Sequence, residues 1–417
     1  MSANDLVVIG PFIAAVLVAL AVLVVDLIWP SRRGPALLVT LVGLAIVAAL
    51  TITTGAAVAG GDGTDRVTAF GGAYVVDGLT TFLDLLFVGI VAFTILFAPD
   101  CLEPRGLPIP EFAMVLLFAM TGAMLIAASA DLLILFIGLE LMVLPGYMLA
   151  GYHKTDGYST EGAIKYFLLG SFSSAIFLFG LAFVWGLSGS TNIADVASTL
   201  TKVTNGQLAF SPGLALGLAF LSTGVAFKIA AVPFHYWTPD AYQGSPTPVT
   251  GYLSVGPKVG AFALILRLFV EALGPMKADW LPVVVVLAAL TMTLGNLVAL
   301  TQDNVKRMLA YSSIAHTGYM LVGLAAFAGG QSSGISALLY YGAAYAFMNL
   351  GAFAVIAALQ KRAGVTSQLS TFSGMIRKEP ALTFLMTLFL LSLVGIPPTA
   401  GFFGKVLIIQ SAVQAGG

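Results

Sequence analysis

Six side chains carry the chemistry that this sequence offers: Glu140, Lys165, Lys228, Lys258, Lys405 and His316. Each lies in apolar surroundings. Glu140 stands in "DLLILFIGLELMVLPGYML", nine residues past Asp131, or roughly 13 Å along a helix. Lys165 is in "EGAIKYFLLGSF", near the start of its helix, and Lys228 precedes the proline-rich "IAAVPFHYWTPDAYQGSPTPV". Lys258 falls ten residues into an apolar run, roughly 15 Å deep. Lys405 follows "GIPPTAGFFG", and His316 is in "AYSSIAHTGYML". A charge at a bilayer centre costs several kcal/mol, so such groups are paired or face a wet cavity. Lysine suits proton transfer: desolvation favours the neutral amine, and a nearby carboxylate favours the ammonium. A Lys228 that gained or lost Glu140 as partner would alternately hold and release a proton. A line of such lysines joined by water would pass protons along the mid-membrane plane. Sodium transport would use carboxylate and carbonyl oxygens. Here the residues singled out as intramembrane are five cations (Lys165, Lys228, Lys258, Arg267 and Lys405) and one acid, Glu140.

Each residue also has a plainer reading. Lys165 has Glu161 at i−4, an ordinary helix-surface pair. Glu140 and Lys228 could form a purely structural ion pair. Arg267, near the end of its run, reads as a snorkelling cation. His316 reads as a hydrogen-bonded interior histidine, and His235 as a cap on the break beside it. Lys258 and Lys405 have no sequence-local partner, so the plain reading is weakest for them.

The elements that must hold these groups are apolar runs of the length that crosses a ~30 Å hydrocarbon core. Such runs fall near 6–29, 36–59, 74–98, 110–128, 131–152, 162–187, 209–243, 248–273, 280–300, 304–328, 334–359 and 380–413, twelve predicted spans. The seventh and twelfth are long and broken. Pro233, Pro239, Pro246 and Pro248 interrupt the former, and Pro397 and Pro398 the latter, with Gly395 and Gly401 beside them. Proline removes a backbone donor and stops a helix. Broken backbone survives in a membrane only against protein or a water-filled cavity. Two discontinuous spans in two parts of one chain are the usual pointer to a transport site built from inverted repeats.

Composition agrees with a polytopic, all-α transmembrane bundle. The chain of 417 residues is 59% hydrophobic and 9% charged, with a mean hydropathy of +1.00. A formal net charge of −1 argues against a nucleic-acid partner. One cysteine, Cys101, supports neither an internal disulfide nor a cluster or metal site. The three histidines, His153, His235 and His316, do not make a haem pair, and no dinucleotide-binding glycine motif follows a strand. The first run, Leu6 to Trp29, is too long for a signal peptide's core. Loops after odd-numbered spans hold Arg32, Arg33, Arg105, Lys154, Lys306, Arg307, Lys361, Arg362, Arg377 and Lys378; the opposite loops hold Arg66, Lys202 and Lys277. Cytoplasmic loops are rich in Lys and Arg, which predicts an outside N-terminus.

The stretch "FKIAAVPFHYWTPDAYQGSPTPV" resembles the signature of the antiporter-like subunits of respiratory complex I and of Mrp-type antiporters. "EGAIKYFLLGSFSSAIFLFG", "KRMLAYSSIAHTGYML", "FMNLGAFAVI" and "LSLVGIPPTAGFFGK" resemble the subunit-N branch of bacterial NADH–quinone oxidoreductase more than the L and M branches. The likeness covers most of the chain from about residue 74 onward. It implies a fourteen-helix proton-translocating subunit with two five-helix inverted repeats. That divides this chain into N-terminal helices over 1–109, a first repeat over 110–273 (spans four to eight), and a second over 280–417. Ending at "SAVQAGG", the sequence stops two helices short of the family, so the second repeat is incomplete as written. The resemblance implies that Glu140, Lys165, Lys228, Lys258 and Lys405 match the essential positions. It implies no cofactor in this chain: FMN, iron–sulfur clusters and the quinone site belong to other subunits, and quinone reduction there drives the proton. M-like and K-like membrane subunits would be the neighbours, in a bacterial cell (inner) membrane. Two other functions compete: an Mrp-type cation/proton antiporter subunit, and a structural subunit with an inactive channel.

Overall fold

The computed structural model describes residues 3–30, 32–58, 66–209 and 211–416. Its described part is helical apart from one small hairpin. The helices are α1 (Ala3–Val8), α2 (Gly10–Ile28), α3 (Arg33–Val58), α4 (Gly78–Leu102), α5 (Ile109–Ala127), α6 (Leu132–Ala150), α7 (Gly157–Ser188), α8 (Ile193–Thr204), α9 (Pro212–Lys228), α10 (Trp237–Gly244), α11 (Thr247–Ile265), α12 (Lys277–Ala299), α13 (Val305–Ala328), α14 (Ser333–Ala363), α15 (Met375–Lys378), α16 (Pro380–Val394) and α17 (Ala400–Gln414). A π-helical segment, Leu266–Ala272, extends α11. Among the described residues nine helices are long and apolar enough to cross a membrane. Where the seventh span is predicted, the chain forms α9 and α10. Where the twelfth is predicted, it forms α16 and α17.

The chain divides into two compact units, each assembled from separated segments. The first comprises 1–149, 174–221 and 259–276. In it α2 packs on α3 and α5, and α4 on α3 and α5. Strands β1 (Val67–Ala69) and β2 (Tyr74–Val76) pair antiparallel, Val67 opposite Val76. The hairpin is stitched to the end of α5 by the Val75 N–H on the Ala128 carbonyl, 2.8 Å, and by the Ala130 N–H on Ala73, 3.0 Å. Tyr74, Val76, Leu125, Ala128, Val8 and Val58 close an apolar cluster there.

The second unit comprises 150–173, 222–258 and 277–417. Helix α13 is its centre, packed on α10, α12, α14 and α17, with α14 also on α16. Both helix breaks lie in this unit. After Lys228 the backbone is irregular to Tyr236, and Ala230 sits at φ 57°, a left-handed conformation that costs an L-residue about 1–2 kcal/mol. The freed polar groups are satisfied by protein. The Val232 N–H donates to Thr291 Oγ1 of α12 at 3.0 Å. Thr317 of α13 donates to the Ile229 carbonyl at 2.9 Å, and the Trp237 indole to that of Phe227 at 3.2 Å. That is how irregular backbone becomes tolerable away from water. In the other break, Gly395 ends α16 at φ 90°, a conformation open to glycine.

Candidate functional site

The polar groups of the second unit form two clusters and a connecting stack. The first is at the start of α7. Lys165 Nζ lies 2.5 Å from Glu161 Oε1 and 2.6 Å from Asp240 Oδ2 on α10. The other Asp240 oxygen accepts from Arg307 Nη1 at 2.6 Å. Helices α7 and α10 can approach this closely because glycine faces backbone: a Cβ on Gly162 would stand 2.8 Å from the Asp240 carbonyl oxygen, and one on Gly244 2.1 Å from that of Tyr158. The helix-surface pair with Glu161 is therefore present, but it is half of the arrangement. Beside it, Lys306 is buried and donates to the carbonyls of Gln243 (2.9 Å) and Ser245 (2.5 Å) at the C-terminal end of α10.

The second cluster surrounds Lys258, which is 3% exposed and forms no ion pair among the described residues. Its ammonium donates to the Ser313 carbonyl at 2.6 Å and to Ser313 Oγ at 2.5 Å. Tyr345 donates to the same Oγ at 2.7 Å, and Asn349 Nδ2 donates to Tyr345 at 3.1 Å and to Ser254 Oγ at 2.6 Å. Residues 341, 345 and 349 recur every four positions, so they line one face of α14. Asn349 Oδ1 is buried without a hydrogen-bond partner among the described residues.

The stack leads onward from Tyr345. The His316 ring lies 5.0 Å from that of Tyr345 and 5.5 Å from that of Tyr319. Its Nδ1 is 2.5 Å from the Tyr341 hydroxyl. The Lys405 ammonium stands 4.7 Å over the Tyr319 ring and donates to the last carbonyls of α16, Leu393 at 3.1 Å and Val394 at 2.8 Å. A helix C-terminus carries partial negative charge and suits a cation. Lys228 ends α9 in the same sense, buried, with Nζ 3.5 Å from the Gly170 carbonyl.

Lys258 and Lys405 thus share one chemical trait: both donate to neutral oxygens, on serine or at a helix end. Losing a proton from such a lysine leaves no buried carboxylate unpaired, which a carboxylate-bound lysine would do. Hydroxyls and an imidazole between them can both accept and donate.

Of the residues singled out from sequence, Lys165, Lys228, Lys258, Lys405 and His316 lie in this unit, and His316 and Lys258 both contact Tyr345. Glu140 lies in the first unit, on α6, with Oε1 buried and unpartnered among the described residues. His235 is buried in the irregular segment, its ring 4.7 Å from that of Tyr236. Arg267 does not snorkel. It is fully buried in the first unit, where it bonds Asp77, Glu271, Thr80 Oγ1 (2.9 Å) and the Ala127 carbonyl (2.8 Å). Sequence reasoning missed Asp240, Arg307, Lys306, Ser313, Tyr341, Tyr345 and Asn349. The four-residue spacing of polar tips on α14 was the available signal.

The transmembrane family described as NADH:quinone oxidoreductase/Mrp antiporter matches residues 129–417. NADH-quinone oxidoreductase subunit N of Trichlorobacter lovleyi is 42% identical over 413 residues, covering 99% of this chain and 82% of that one. Among solved structures, a chain of respiratory complex I from Thermus thermophilus with bound aureothin superposes with a TM-score of 0.76 at 33% identity, over 98% of this chain and 83% of that one. A chain of the Mrp complex from Dietzia reaches a TM-score of 0.82 over 100% of this chain and 76% of that one, at 24% identity, a likeness of fold. With the family covering more than half of its length, this chain belongs to the NADH:quinone oxidoreductase/Mrp antiporter transmembrane family.

Proposed function

We propose that this chain is a proton-translocating membrane subunit of an NADH–quinone oxidoreductase. The observation that supports this most is Lys258, a buried lysine held by neutral oxygens and followed by a hydroxyl and imidazole stack toward Lys405. Protons enter from the cytoplasmic side near Lys165 and Lys228, pass Lys258 and the zone around His316, and leave outside by way of Lys405. Glu140 acts as the acid whose presence holds the proton on Lys228, and its withdrawal releases it. Quinone reduction in other subunits drives that withdrawal, and those subunits carry the FMN and iron–sulfur clusters. The broken spans belong to two inverted repeats over 110–273 and 280–417. The protein lies in a bacterial plasma membrane with its N-terminus outside, between M-like and K-like neighbours.

The test is proton pumping measured against NADH oxidation in membranes carrying Lys228→Ala, with assembly read on a native gel. Oxidation without pumping in an assembled complex supports the reading. Unchanged pumping would sink it and leave a structural subunit. A chain that purifies without NADH-oxidising partners and exchanges protons for sodium or potassium would instead be an antiporter subunit.

A further inference from the structure

The first unit carries a buried carboxyl that the lysine line does not use. Asp77, Thr80 and Asp84 fall at i, i+3 and i+7, on one face of the start of α4. Asp77 caps the helix through the Thr80 N–H and binds Arg267 through both oxygens, each at 2.8 Å. Arg267 also binds Glu271, which in turn binds Arg66 at 2.9 Å. Side-chain exposure is 40% at Arg66, 23% at Glu271, 1% at Arg267 and 17% at Asp77, so the line is wettest at Arg66 and driest at Arg267. Asp84 lies two helical turns along α4 from Asp77, 2% exposed, with Oδ1 unpartnered among the described residues.

Charge counting decides the state of Asp84. Two guanidiniums and two carboxylates already balance in the Arg66–Glu271–Arg267–Asp77 cluster. An ionised Asp84 would add an unmatched negative charge in a buried site, with one oxygen lacking any donor. Burying an unpaired charge costs far more than burying a neutral carboxyl. The charged and titratable groups that act on it are Arg267 from the π-helical segment, Asp77 on its own helix, and Tyr74 from β2. Helices α3 and α5 supply none nearby: Arg33 is paired with Glu103 at the far end of α4, and Glu111 is in the first turn of α5.

We propose that Asp84 is a proton-binding site: a neutral buried carboxyl, held beside the fixed charge of the Asp77–Arg267–Glu271 cluster, that exchanges its proton with water. On uptake, hydronium gives a proton to one carboxylate oxygen, forming the acid and leaving water; on release the acid O–H bond breaks and water takes the proton as hydronium. The site stands independently of pumping through the lysine line.

Infrared difference spectra of the assembled complex, wild type and Asp84→Asn, test this. Asparagine has the shape of the neutral acid, so the variant should assemble as wild type. The wild-type spectrum should contain a protonated-carboxyl C=O band that the variant lacks, and that band should shift on transfer to D2O. Failure of Asp84→Asn to assemble would mean that the negative charge is needed as a counter-ion, and would overturn the proposal. So would a variant spectrum identical to wild type. A carboxyl band insensitive to D2O would remove the exchange with water.

Discussion

Lys258 and Ser313 are joined twice, by the ammonium on the serine carbonyl at 2.6 Å and on its hydroxyl at 2.5 Å. A buried lysine has exchanged its aqueous shell for one residue of α13, and that residue's hydroxyl also receives Tyr345. Lys258→Met keeps the apolar stem and removes the proton carrier. We expect pumping near background in an assembled complex. Ser313→Ala removes one of the two bonds and leaves the carbonyl. With a hydrogen bond worth about 1 kcal/mol, it should slow proton transfer roughly five-fold. Proton flux of the two variants, normalised to complex content, checks both. Equal loss in both would mean that Ser313 holds the structure and not merely the lysine.

Asp240 joins Lys165 to Arg307, one carboxylate oxygen to each cation. Asp240→Asn would leave two cations facing an uncharged amide. Lys165 would retain Glu161, which is more exposed and therefore worth about 0–1 kcal/mol. We expect initial pumping rates to fall several-fold in Asp240→Asn and only slightly in Glu161→Gln. The reverse order would assign Lys165 to its helix-surface pair.

The residues legible in sequence were those that break an apolar background. Lys258 and Lys405 stood out because a charge in a span has no innocent use, and prolines 233 and 397 because backbone cannot go unpaired there. Partners were invisible when they came from afar. Asp240 is 75 positions from Lys165, and Asp77 is 190 positions from Arg267. For Arg267 the nearness of a span end suggests a side chain reaching for water, whereas the distant Asp77, with Glu271 one turn on, holds it inside. Lys306 and Arg307 count with the cytoplasmic loop in the sequence, although both stand in the first turn of α13, which packs against α10. Tyrosine hydroxyls were passed over for a chemical reason: their stems are as apolar as the helix around them.

Arg267 and Asp77 give the first unit a pH dependence at its hairpin end. Burial alone would push the Asp77 carboxyl up, but the hydrogen bonds and charge of Arg267, with the Thr80 N–H, hold it below the usual carboxylate range. A carboxylate whose value is lowered on folding stabilises the fold above its unfolded value of about 4. That contribution is lost as pH falls through the lower, folded value. Arg267→Ala, which strands buried carboxylate, should cost about 3–5 kcal/mol. Asp77→Asn should flatten the acid limb of a plot of thermal midpoint against pH for the detergent-solubilised complex. An acid limb unchanged by Asp77→Asn would place its origin in other carboxylates.

The approach of α7 to α10 sets the Lys165–Asp240 distance, and glycine sets the approach. A methyl group on Gly244 would meet the Tyr158 carbonyl oxygen at 2.1 Å, whereas one on Gly186, farther along α7, would meet nothing within 4 Å. Both positions are helical and neither has positive φ, so alanine is not strained by conformation at either. Gly186→Ala should be neutral or slightly stabilising, since alanine favours helix over glycine by about 1 kcal/mol. Gly244→Ala must push the helices apart, at a cost of about 1–3 kcal/mol for overpacking. The displacement is larger than the slack in a 2.6 Å ion pair, so Lys165 should lose Asp240 while keeping Glu161. The functional result should then resemble that of Asp240→Asn, with the added loss of stability. Pumping and thermal midpoint measured together on the three variants separate the two effects. Wild-type pumping in Gly244→Ala with a lowered midpoint would show that the fold depends on this contact and proton transfer does not.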